Sequence, residues 1–218
     1  MMQKPPWKLA AGLVAATAIM VGVVQAVEVT SNVVGYVKID VTAGGNNLLS
    51  TPFDQVDGSD NLVSLVVGEQ VAPGSVIFKY VADTYVGSTK FPAGWTNDFA
   101  LNRGDGFWLR TTADASVLLM GEVPEEDTTL SLAAGNTLTG MTVPVEMTMD
   151  DSGLSAAPLG STAFFWDGAA YVGATKFPAG WTPNAAVVPG EGFWVTAQGD
   201  FDWPEPAPAE HLVRVRTR

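Results

Sequence analysis

Alternation of apolar and polar residues runs through much of the chain. Val33, Val37, Ile39 and Val41 fall on one face of a period-two segment, and Tyr36, Lys38 and Asp40 on the other. This predicts a half-buried strand. Gly44-Gly45-Asn46-Asn47 breaks the segment, and an extended run resumes over residues 48–53. Residues 75–81 and 162–166 read as strands, with hairpin turns at Asp83-Thr84 and Asp167-Gly168 leading into Tyr85-Val86 and Tyr171-Val172. Residues 107–111 and 193–197 are strands entered from glycine turns, and residues 116–120 are expected to pair with the first of them. One helix is predicted, over residues 61–67. Asp60 is its expected N-cap, Leu62, Leu65 and Val66 its apolar face, and Gly68 its stop. No longer stretch has helical periodicity, so the predicted class is all-β, sandwich or barrel-like.

The pattern is written twice. Residues 77–110 align without a gap on residues 163–196, with 17 identities in 34 positions. Thr89-Lys90-Phe91-Pro92-Ala93-Gly94-Trp95-Thr96 recurs as Thr175-Lys176-Phe177-Pro178-Ala179-Gly180-Trp181-Thr182. Gly104, Gly106, Phe107 and Trp108 recur as Gly190, Gly192, Phe193 and Trp194. Gly45-Asn46-Asn47-Leu48 resembles Gly135-Asn136-Thr137-Leu138, at an offset larger by four. Two copies are too few for a solenoid or propeller. The expected organisation is a duplicated β-unit, repeat 1 over residues 27–123 and repeat 2 over 124–203, packed with pseudo-twofold symmetry. A Pro/Ala-rich, then basic, tail follows over residues 204–218.

Residues 1–26 read differently. Lys4 and Lys8 precede a charge-free apolar run from Leu9 to Val24, and Val24-Gln25-Ala26 suits cleavage. This is the pattern of a signal peptide, and the run is short for a bilayer span. Its removal would take two lysines and no acid, moving the net charge from −12 to −14. An acidic exported chain is expected, located in the periplasm, at the cell surface or outside the cell. No stable membrane insertion is expected after cleavage. The charge also excludes a non-specific nucleic-acid binder. With 0 Cys and 1 His, disulfides, thiolate metal sites and most triads are excluded.

The repeated residues are aromatics, Gly, Pro and one Lys, with no repeated acid pair, His or Ser. Duplicated catalysis would duplicate an acid, base or nucleophile, so no enzyme and no cofactor is expected. The structural reading makes Phe-Pro-Ala-Gly a turn and the tryptophans core residues. The alternative is a glycan platform in which Tyr85, Trp95, Tyr171 and Trp181 stack on sugars, with Lys90 and Lys176 as polar partners. Asp54, Asp57 and Asp60 are the calcium candidates, with Asp150-Asp151 in the related region, but the spacing misses the EF-hand pattern. A third reading pairs Asp105 and Glu191 as hydrolytic carboxylates. His211 lies in the tail and is expected to be inert.

Thr30-Ser31-Asn32-Val33-Val34-Gly35-Tyr36 after a signal peptide, then Ser50-Thr51-Pro52-Phe53, then a Gly-Trp and a Gly-x-Gly-Phe-Trp turn, twice, carry a resemblance. In this order they resemble a set of uncharacterised bacterial secreted proteins, over most of residues 30–195. The resemblance implies an exported, duplicated β-protein and no particular activity. The expected function is that of a non-enzymatic surface or envelope protein with a structural, adhesive or assembly role. Its partners would be extracellular glycans or other surface proteins.

Overall fold

The computed structural model describes residues 33–208. The expected signal peptide, His211 and the last three arginines lie outside the described residues. The first copy comprises β1 (Val34–Val41), β2 (Asn46–Ser50), helix α1 (Val63–Val66), β3 (Val76–Val81), β4 (Thr84–Phe91), β5 (Gly94–Trp95), β6 (Gly106–Arg110) and β7 (Ala115–Glu122). The second comprises β8 (Thr128–Leu132), β9 (Gly135–Gly140), β10 (Met147–Thr148), β11 (Thr162–Trp166), β12 (Tyr171–Phe177), β13 (Gly180–Thr182), β14 (Ala186–Val187), β15 (Gly192–Ala197) and β16 (Phe201–Glu205). All strand pairs are antiparallel.

The fold is all-β and duplicated. Each copy has a five-stranded sheet, β2-β6-β3-β4-β5 in the first and β9-β15-β11-β12-β13 in the second. Each also has a two-stranded ribbon, β1-β7 or β8-β16. Ribbon and sheet enclose one core per copy, giving a two-layer sandwich. Val41, Val117 and Leu119 of the first ribbon meet Leu49, Ile77 and Leu109 of its sheet. In the second copy, Leu132 and Trp203 of the ribbon meet Ala163, Phe193 and Val195.

The copies join at β2 and β9 by reciprocal contacts. Ser50 N–H donates to Gly190 O at 2.9 Å, and Gly140 N–H donates to Gly104 O at 3.0 Å. Leu49 bridges Glu191, and Thr139 bridges Asp105. The second glycine of each Gly-x-Gly permits this approach. A Cβ on Gly106 would lie 2.7 Å from Thr139 N, and one on Gly192 would lie 2.5 Å from Leu49 O.

Several local expectations change. Residues 116–120 do not pair with 107–111. They lie in β7 and pair with β1, because both edges of β6 are taken by β2 and β3. The first hairpin turn is Ala82-Asp83, one residue earlier than expected, and both residues have positive φ. α1 is shorter than predicted and Asp60 does not cap it. Asp98, from the loop before β6, accepts from Ser64 N–H at 2.8 Å and from Ser64 Oγ at 2.6 Å. Leu65 is exposed, while Val63 and Val67 face the core. The second copy also runs past residue 203. Glu205 is the last residue of β16, buried where its carboxylate accepts from Thr142 N–H at 2.7 Å and Thr142 Oγ1 at 2.5 Å.

Candidate functional site

Alternation along β3 sends Ile77 into the core and Phe78 and Tyr80 outward. β11 repeats this, with Ala163 inward and Phe164 and Trp166 outward. The hairpin register places Tyr80 opposite Tyr85, and Trp166 opposite Tyr171. It also sets Phe78 opposite Gly87 and Phe164 opposite Gly173. A Cβ on Gly87 would come within 2.8 Å of the Phe78 ring, and one on Gly173 within 3.3 Å of Phe164. The glycine of Tyr-Val-Gly is thus the bed on which the phenylalanine lies. Trp108 and Trp194, from β6 and β15, complete eight rings in four twofold-related pairs.

These rings pack edge to face. Tyr85 lies 6.5 Å from Phe78 and 5.2 Å from Tyr80 between centroids; Tyr171 lies 6.4 Å from Phe164 and 5.2 Å from Trp166. Tyr80 crosses to Trp194 at 4.8 Å, and Trp166 crosses to Trp108 at 5.5 Å. The array is continuous across the pseudo-twofold axis. Tyr85 is 51% exposed and Tyr171 46%, far more than rings held in a core.

Two open grooves lie on this face. One, of about 500 Å³, is lined by Tyr80, Tyr85, Asn136, Phe164, Tyr171, Trp194 and Thr196. The other, of about 340 Å³, is lined by Asn46, Phe78, Tyr85 and Trp108. Each residue of the smaller groove has its twofold counterpart in the larger. Among the described residues, no charged side chain lines either groove. Tyr171 Oη accepts from Trp194 Nε1 at 3.1 Å, which leaves the phenol hydrogen for another acceptor. Desolvation raises the Tyr171 phenol, and desolvation together with the Asp83 hydrogen bond raises Tyr80, so both rings remain neutral.

The six residues of the expected glycan platform are divided. Tyr85 and Tyr171 lie together on the exposed face. The others do not join them. Trp181 is 3% exposed, and its Nε1 donates to Leu154 O at 2.9 Å. Trp95 packs against the first core. Lys90 is buried, bonded to Gly68 O and Glu69, 5.8 Å from the Trp95 ring centroid. Lys176 is largely buried, 3.6 Å from Asp150. Pairing with Lys across the β4-β5 and β12-β13 turns sends both tryptophans toward the cores.

Of the carboxylate candidates, Asp105, Asp54 and Asp57 are similarly engaged. Lys79 Nζ donates to Asp105 at 2.5 Å and Asn102 N–H donates at 2.7 Å, which fixes Asp105 in an ion pair. Burial and the nearby Glu146 raise the Glu191 carboxyl. Asp54 pairs with Arg103 at 3.1 Å, and Asp57 accepts from Ser59 N–H. Among the described residues, Asp54, Asp57 and Asp60 form no metal-binding group.

The residues that sequence reasoning missed are Phe78, Tyr80, Trp108, Phe164, Trp166 and Trp194. Their signal was present: Phe-x-Tyr and Phe-x-Trp place both rings on one face of a strand, opposite the Tyr-Val-Gly strand of the same hairpin. No family model, curated protein or solved structure matches the chain.

Proposed function

We propose that the protein is an exported, non-enzymatic surface or envelope protein with an adhesive role, and that its contact is a neutral glycan held on the aromatic face. The observation that carries this reading is the exposed, uncharged array centred on Tyr85 and Tyr171. Flat rings with a few hydroxyl and amide groups suit the apolar faces and hydroxyl rims of sugars. An acidic chain would repel polyanionic glycans, which favours neutral ones. Export is supported by the pattern of residues 1–26 and by the resemblance described above. No helix of the described residues is long and apolar enough to cross a membrane. A non-catalytic role is supported by the repeated residue types and by the ion pair that holds Asp105.

The test is a glycan array probed with the exported protein beside the Tyr85→Ala, Tyr171→Ala variant. The variant should bind at least about tenfold more weakly while its melting temperature moves little. Binding that survives both substitutions would overturn the reading. The contacts of Tyr80 with Trp194 and of Trp108 with Trp166 favour a second reading, in which the rings only join the copies. That reading expects no retained glycan.

A further inference from the structure

We infer that the duplicated groove has diverged, so that the protein holds one neutral oligosaccharide, over Trp194, and that Trp166 fills the equivalent position over Trp108 while Arg110 replaces the threonine that orders the rim. The inference rests on the carbohydrate reading of the aromatic face and adds which copy carries the ligand and which residues decide it.

The two grooves share four counterpart residues but differ at two positions beside them. Where the second copy has Trp166 the first has Tyr80, and where the first has Arg110 the second has Thr196. Both differences act on one groove at a time. Across the axis, Tyr80 borders the groove over Trp194, and its hydroxyl is turned away to Asp83 at 3.1 Å. Trp166 takes the related place beside Trp108. Its larger ring packs against Trp108, and its Nε1 donates to the backbone carbonyl of Asn46 at 2.8 Å. The corner left open by Tyr80 is therefore filled by Trp166.

The polar groups differ in the same sense. In the second copy Thr196 stands opposite Asn136, and Thr196 Oγ1 donates to Asn136 Oδ1 at 2.7 Å. This fixes the amide with Nδ2 as a donor on the rim. Tyr171 Oη, whose acceptor role is taken by Trp194, adds a second donor. In the first copy Arg110 stands opposite Asn46 and has no hydroxyl to hold the Asn46 amide as Thr196 holds that of Asn136. Ordering the Asn46 amide around a sugar would cost entropy that the preset Asn136 amide avoids. The larger groove thus has both the space and the preset donors.

The experiment is titration calorimetry with cellohexaose, laminarihexaose and mannohexaose, read beside the ¹⁵N indole signals of Trp108 and Trp194. The protein should give a single-site isotherm with at least one of these, and the Trp194 signal should move while that of Trp108 stays. Closing the large groove with Tyr80→Trp and Thr196→Arg should weaken binding at least about tenfold. Opening the small one with Trp166→Tyr and Arg110→Thr should give a second site and move the Trp108 signal. Thermal melting of each variant confirms that it is folded, and either variant alone decides the outcome. Equal movement of both indoles, unchanged affinity after Tyr80→Trp and Thr196→Arg, or no second site after Trp166→Tyr and Arg110→Thr, would overturn the divergence while leaving the carbohydrate reading intact. No binding of any of the three sugars would overturn both.

Discussion

Lys90 and Lys176 occupy the same corner of the two copies, and each is satisfied differently. Lys90 is sealed in, 2% exposed, and reaches outward to the carbonyl of Gly68 and to Glu69, a carboxylate almost wholly in solvent. Lys176 keeps a looser 3.6 Å contact with Asp150, which accepts from Trp181 N–H at 2.9 Å as well. The tryptophans differ in step. Trp181 Nε1 is bonded to Leu154 O, whereas the buried Trp95 Nε1 has no partner among the described residues. One repeated motif therefore fixes the turn and the packing, and the unrepeated loop before it supplies the polar partners. The copies match where backbone geometry decides and part where loops decide.

The largest test of this contrast is truncation of the tryptophans. Trp181→Ala should cost about 3–5 kcal/mol, as expected for a fully buried, well-packed ring. Trp95→Ala should cost at least about 1 kcal/mol less, since its ring is partly exposed and its N–H gains nothing from burial. Urea denaturation of both variants checks this, and equal losses would make the corners equivalent.

A second difference lies in the ribbons. The buried positions of β7 and β16 match, and Glu205 falls where the first copy has Leu119. Burial pushes the Glu205 carboxyl up to about 7, against the lowering effects of the Thr142 hydrogen bonds and the charge of Arg103. Because the folded form holds the proton more tightly, the contribution to stability is full below about pH 4.5 and is lost as pH rises to about 7. The loss over that window should be about 3 kcal/mol. Denaturant midpoints measured from pH 4 to 8 should show it, and Glu205→Gln should flatten the profile. A profile unchanged by that substitution would assign the slope to other groups.

The smallest test compares the lysine partners. Asp150→Ala should cost about 2 kcal/mol, because it strips a bond from Trp181 N–H as well as the contact with Lys176. Glu69→Ala should cost no more than about 1 kcal/mol, because solvent screens that carboxylate and Lys90 keeps the Gly68 carbonyl. The reverse order, read from melting curves, would contradict the contrast drawn between the corners.

Much of the fold was legible because it is local. Alternation placed β1, and the Phe-Pro-Ala-Gly segments form the β4-β5 and β12-β13 hairpins as their turn chemistry requires. The gapless repeat foretold two matching units. What escaped was long-range. Nothing in residues 116–120 marks β1 as their partner, and nothing near Asp60 shows that Asp98 will arrive to take Ser64. The Gly-Trp part of the candidate site lies elsewhere for a related reason. Gly-Trp is the most conspicuous repeated pair, but its register with Lys turns the tryptophan inward. The exposed rings follow from the quieter alternation of Phe78 with Tyr80 and of Phe164 with Trp166.

The reciprocal bonds of Ser50 with Gly190 and Gly140 with Gly104 have an architectural consequence. Each Gly-x-Gly turn finds its backbone partner in the opposite copy, as the two halves of an isologous interface do. In geometry the chain is a homodimer whose subunits have been fused head to tail. Fusion releases the halves from being identical, so one face can keep its shape while a single side of it acquires a new chemistry.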